Sequence, residues 1–145
     1  MSEAPDHSPA PPAPDGDPVP DGDVVELATK VFDLARRGDA GTLAAYVDAG
    51  VPANLTNDRG DSLVMLAAYH GHAPAVTALL DRGADADRAN DRGQTPLAGA
   101  VFKGEDAVIR ALLAGGADPA AGTPSAVDTA RMFGKADLLM LFGAR

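Results

Sequence analysis

With 145 residues the chain has room for one domain and a tail, and with aromatic residues at 4 % and no Trp its core must come from Ala, Leu and Val. A net charge of −9 without a basic stripe removes the counterion-release drive for nucleic-acid binding and repels an anionic membrane surface. The lack of Cys excludes disulfides and thiol chemistry and fits a reducing compartment, so a cytoplasmic protein is expected. No apolar run approaches the roughly 18 residues of a membrane span, and the first residues lack the basic start and apolar stretch of a secretory signal. Nine Arg against three Lys, with abundant Ala, Gly and Pro, point to GC-rich codons and a bacterial source.

The chain opens on a tail. Residues 1–22 hold seven of the twelve prolines, and such a segment buries too little apolar surface to offset its ordering entropy, so disorder is predicted. Pro9-Ala10-Pro11-Pro12-Ala13-Pro14 has polyproline II character with P-x-x-P spacing. It reads as a solubilising spacer, with a docking peptide as the alternative. Residues 1–26 also carry seven acids and no Lys or Arg, whereas the remainder has 14 acids against 12 bases. The acidity belongs to the tail.

After residue 24 a period takes over. Asn57-Asp58-Arg59-Gly60 recurs as Asn90-Asp91-Arg92-Gly93, 33 positions on, and Leu79-Leu80, Gly71 and Ala84-Asp85 recur at the same offset. One fixed offset at so many positions marks a solenoid. Ala75, Val76, Leu79 and Leu80 form a helical stripe that Val108, Ile109, Leu112 and Leu113 repeat. Pro74 suits a first helical turn, and Gly83 and Gly116 sit where a left-handed residue ends a helix. Asn-Asp-Arg-Gly reads as the turn at a hairpin tip.

Gly60-Asp61-Ser62-Leu63-Val64-Met65-Leu66-Ala67-Ala68-Tyr69-His70-Gly71-His72 resembles the ankyrin pattern G-x-T-P-L-H-x-A-A-x-x-G-H, and Gly93-Gln94-Thr95-Pro96-Leu97 matches its T-P-L part better. The resemblance covers about residues 24–142 and implies an all-α ankyrin-repeat solenoid of about four helix–loop–helix units with short β-hairpin connections. Units are expected at about 24–56, 57–89, 90–119 and 120–145, with Phe32, Leu34, Leu43, Tyr46 and Val47 as the apolar set of the first. The fourth aligns with the third at a shift of 30, so three residues are missing from its hairpin, and it stops at Leu138 to Phe142 with a clipped second helix. Met65, Ala98 and Asp128 stand where the family has a histidine, which removes its Thr–His hydrogen bonds and implies lower stability than a consensus array.

Convergent catalytic chemistry is not evident. His70-x-His72 supplies two of the three or four ligands a metal needs, and His72 occupies the family's Gly-His position, usually structural. Asp85, Asp87 and Asp91 lie in a hairpin connection without the calcium loop's terminal Glu, and no glycine pair is followed by Lys-Ser/Thr as in a phosphate loop. No enzyme activity, metal or cofactor is expected. The resemblance instead implies a protein partner in the concave groove made by hairpin tips and first helices. Carried over by position, its tip residues are Asp58, Arg59, Asp61, Asp91, Arg92 and Gln94. At the ends of the first helices stand Arg36 and Arg37, Tyr69 and His70, and Phe102 and Lys103. Tyr69 and Phe102, 33 apart, form a candidate hot spot, against the alternative that Phe102 packs on a neighbouring helix. Met132 and Phe133 are read as packing of the terminal unit. The expected protein is a monomer on its own that binds another protein. A narrower alternative is an accessory protein that stabilises or inhibits one enzyme; small bacterial ankyrin proteins of similar appearance are associated with catalases. If the tail contributes no core, deleting residues 1–22 leaves the thermal midpoint of unfolding within a few degrees, as circular dichroism will show.

Overall fold

A computed structural model describes residues 21–143; most of the Pro-rich tail predicted over 1–22, including its P-x-x-P run, lies outside the described residues. Eight helices follow one another among them, α1 (Asp21–Arg37), α2 (Ala40–Asp48), α3 (Leu63–Tyr69), α4 (Ala73–Leu80), α5 (Pro96–Lys103), α6 (Asp106–Ala114), α7 (Ala126–Met132) and α8 (Ala136–Leu141). By their contacts the residues divide between Lys30 and Val31. Before that point, the start of α1 exposes Val24, Val25 and Leu27. From Val31 onward the apolar core begins, later than the unit boundary expected at residue 24.

Three of the first helices in each pair start the same way, because a hydroxyl stands just before a run of helix-forming residues. Ser62 Oγ accepts from Met65 N at 3.0 Å, Thr95 Oγ1 from Ala98 N at 3.2 Å, and Ser125 Oγ from Asp128 N at 3.0 Å. Each satisfies an amide that has no partner inside the helix, and each cap is itself buried, so the hydrogen bond is needed rather than optional. These helices are made of small and medium apolar residues, and six consecutive residues of α3, Leu63 to Ala68, are buried. A helix buried on nearly all sides needs neighbours on both sides. It has them: α3 packs on α5 and α5 on α7, while α2 packs on α4 and α4 on α6 in a second row.

Loop contacts tie one unit to the next at the same offset. Asn54 Oδ1 accepts from Asp85 N at 2.7 Å, and one unit later Asp87 Oδ1 accepts from Asp118 N at 2.7 Å. The Asp85 carboxylate in turn accepts from Asp87 N at 2.9 Å, so Asp85 and Asp87 both serve the connections structurally. The expected β-hairpins are reduced to turns with isolated bridges, Thr56 to Ser62 and Gly122 to Ser125. A second tie comes from His72, whose Nε2–H donates to the Arg36 carbonyl at 2.7 Å. Its ring lies so close to Gly38, at φ +75°, that a Cβ there would come within 2.4 Å of it. Glu105 takes the same place over Gly71.

The last pair breaks the pattern. Val108, Ile109 and Leu112 of α6 are fully buried, but their counterparts Leu138, Leu139 and Phe142 are only half-buried, and α8 contains no buried residue. Met132, expected to pack within this unit, is 69 % exposed, because among the described residues no further helix lies beyond α7 and α8 to receive it. This asymmetry predicts unequal mutational costs. Leu112→Ala is expected to cost about 2–5 kcal/mol and Leu139→Ala less than about 1 kcal/mol in denaturant unfolding. Equal losses would mean that α8 is covered as fully as α6.

Candidate functional site

The turn tips are shaped by one side chain each. Asn57 Oδ1 accepts from Arg59 N at 2.9 Å and Asp61 N at 3.0 Å; Asn90 Oδ1 does the same for Arg92 N at 2.9 Å and Gln94 N at 3.0 Å. A side-chain amide that closes its own turn holds the tip in one shape, and the residue at its apex, Arg59 or Arg92, is turned out to solvent. Neighbouring tips are joined by Asp91 N donating to Arg59 O at 3.0 Å, and Thr123 N donates to Gly93 O at 2.9 Å. The spacing of the two arginines thus follows from backbone hydrogen bonds.

Between these tips and the end of α3 lies a cleft of about 280 Å³. Of the candidate residues it brings together Arg36, Arg59, Asp61, Tyr69, His70, Arg92 and Gln94, on a nearly buried floor of Met65 and Leu66. Asp61 is half-buried, and its Oδ1 accepts from Asn90 Nδ2 at 2.9 Å, so it serves the junction between units. Gln94 Oε1 accepts from the same amide at 3.0 Å. The Asp91 carboxylate lies against Gly60 and Asp58 points to solvent; neither lines the cleft. Arg37 turns back along its own helix to Asp33, at 3.3 Å.

Tyr69 is 40 % exposed and Phe102 61 % exposed, at equivalent places on α3 and α5. The Lys103 ammonium stands 4.7 Å from the Tyr69 ring centroid, within range of a cation–π contact. Phe102 does not line the cleft; its ring lies 5.7 Å from that of Phe133. Phe133, expected to be terminal packing, is 47 % exposed and extends the aromatic row. The ring thus packs in part, on Phe102, and is in part exposed. Asn57 and Asn90 were legible only as turn formers, and Met65 only as a replaced histidine; their convergence on one cleft is tertiary.

The chain's match to known proteins follows this architecture. A family profile described as ankyrin repeats, in three copies, matches residues 31–122. The chain belongs to the ankyrin-repeat family. An ankyrin repeat protein of Pseudomonas aeruginosa is 50 % identical over 46 residues, which are 32 % of this chain and 27 % of that relative. The crystal structure of the human ASB11 ankyrin repeat domain matches with a TM-score of 0.58 at 30 % identity, over 61 % of this chain and 40 % of that one. The chain therefore spans less than half the length of either. Ankyrin repeats are generally protein–protein interaction modules, and among the described residues no helix is long and apolar enough to cross a membrane.

His70 reports the electrostatics of this part of the ankyrin array. Its pKa lies below the ordinary imidazole value, first because of partial burial and then because His72, Arg36 and Lys103 repel a second positive charge. The folded state thus binds the proton less readily than the unfolded chain. The small stability this contributes is present above the unfolded pKa and lost as pH falls through the folded one. Proton NMR titration should place His70 below a free imidazole, and Lys103→Gln should move it upward; no movement would mean that Lys103 has no part in the shift.

Proposed function

We propose that the chain is a non-enzymatic, cytoplasmic protein-binding module whose partner lies along the groove formed by the turn tips and the ends of α1, α3 and α5. The observation that carries this reading is the exposure of Tyr69 and Phe102 at one register on adjacent helices, beside the cleft lined by Arg36, Arg59 and Arg92. Large rings left in solvent on a rigid scaffold offer contact area without an ordering cost, and aromatic and Arg side chains dominate the energetics of interfaces. We assign Arg37, Asp58, Asp91 and Lys103, which do not line the cleft, to its rim, where charge guides encounter more than it holds a complex.

Tyr69→Ala combined with Phe102→Ala should weaken binding to the native partner by more than about 2 kcal/mol in titration calorimetry. Both rings are exposed, so circular dichroism should show the double variant folded. Unchanged affinity would move the interface off the groove, and loss of folding would make the two rings core residues.

A further inference from the structure

We propose that the segment held in this groove is acidic, a stretch of partner polypeptide whose carboxylates meet Arg59 and Arg92 on neighbouring tips and Arg36 at the end of α1, beside an apolar side chain on Tyr69 and Phe102. This rests on the groove reading above and adds the chemistry of the occupant.

Arg37, Arg82 and Arg131 are each paired with a carboxylate on their own or a neighbouring helix, Asp33, Asp48 and Asp128. Arg36, Arg59 and Arg92 share with Arg88 and Arg110 the lack of a carboxylate partner among the described residues, in a chain with 21 acids for 12 bases, but only the first three converge on one cleft. The one carboxylate lining the same cleft, Asp61, accepts from Asn90 and sits half-buried at the base of the tips. A guanidinium offers a planar fork of donors that fits a carboxylate with two parallel hydrogen bonds. Asn57 and Asn90 fix the backbone under two of these forks, which limits the freedom lost on capture.

The local field agrees with the geometry. Although the whole chain is negative, the pKa of His70 is lowered, first by burial and then by the positive charge of His72, Arg36 and Lys103. A basic segment entering here would meet three guanidinium groups, and the one carboxylate lining the cleft, Asp61, already accepts from Asn90. A nucleic acid would present phosphates to the same forks, but beyond the cleft its extended charge would run along an array with 14 acids against 12 bases after residue 26. A short acidic stretch with one apolar anchor avoids both conflicts.

The test is selection of a displayed library of random short peptides on the immobilised full chain, followed by affinity measurement on the synthetic winner. The parent chain should enrich peptides of net negative charge around an apolar residue, with binding that weakens as salt rises. Arg59→Glu with Arg92→Glu should lower the winner's affinity at least about tenfold; Arg59→Gln with Arg92→Gln should lower it less and serves if the reversed chain is misfolded. Neutral or basic winners, acidic winners indifferent to both arginine pairs, or no enrichment at all overturn the acidic assignment. In the first two cases the groove reading stands if binding still requires Tyr69 and Phe102, and it fails as well if neither ring matters. An oligonucleotide that displaces the acidic winner at equal charge would assign phosphate in place of carboxylate and overturn it too.

Discussion

No helical pair in the ankyrin array can bury its own apolar face. The six consecutive buried residues of α3 are covered partly by α4 and partly by α5, which is in turn covered by α6 and α7. Stability in such an arrangement is a sum of weak units and strong junctions, and it is lost when a junction is lost. The small side chains serve the junctions. Ala67, Ala68 and Ala100 are completely buried, which lets backbones approach closely enough for loop side chains to bond across the gap. Burial of apolar surface and the Asn54–Asp85 and Asp87–Asp118 ties are thus consequences of one spacing.

That spacing also explains why the chemistry of the tips divides into two kinds. Side chains that point along the array, Asp61, Asn90 and Asp91, are engaged by the adjacent unit. Side chains at the apex of each turn, Arg59 and Arg92, have nothing above them. The same turn therefore contributes a structural residue and an exposed residue within three positions. Exposure of the arginines follows from how firmly their neighbours are held.

Much of the fold was legible in the sequence because one offset governs hydroxyl caps, helix-ending glycines and leucine stripes together. Leu79 and Leu112 fall on the buried stripe, and Ser62 and Thr95 cap the helices they precede. The groove was legible only by position. Asp61 and Asp58 look alike in a turn, and only the amide of Asn90, 29 residues away, separates an engaged carboxylate from a solvated one. Arg37 looks like Arg36 until the helix turns it toward Asp33. Met132 and Phe133 depended on a covering neighbour, which no local pattern records. Local rules identified the repeat; side-chain fates were decided by contacts one unit away.

The backbone link from Asp91 N to Arg59 O gives the groove a fixed pitch. Packed helices generally lie about 8–10 Å apart, and an extended chain advances about 3.3 Å per residue. A segment lying along the array would therefore come back into step after about three residues. A carboxylate-bearing segment bound there would be read by its periodicity as well as its composition: two carboxylates at the right interval would engage both tips at once, and the same two placed side by side would engage one. An insertion of a single residue into the ligand would disturb recognition without changing its charge.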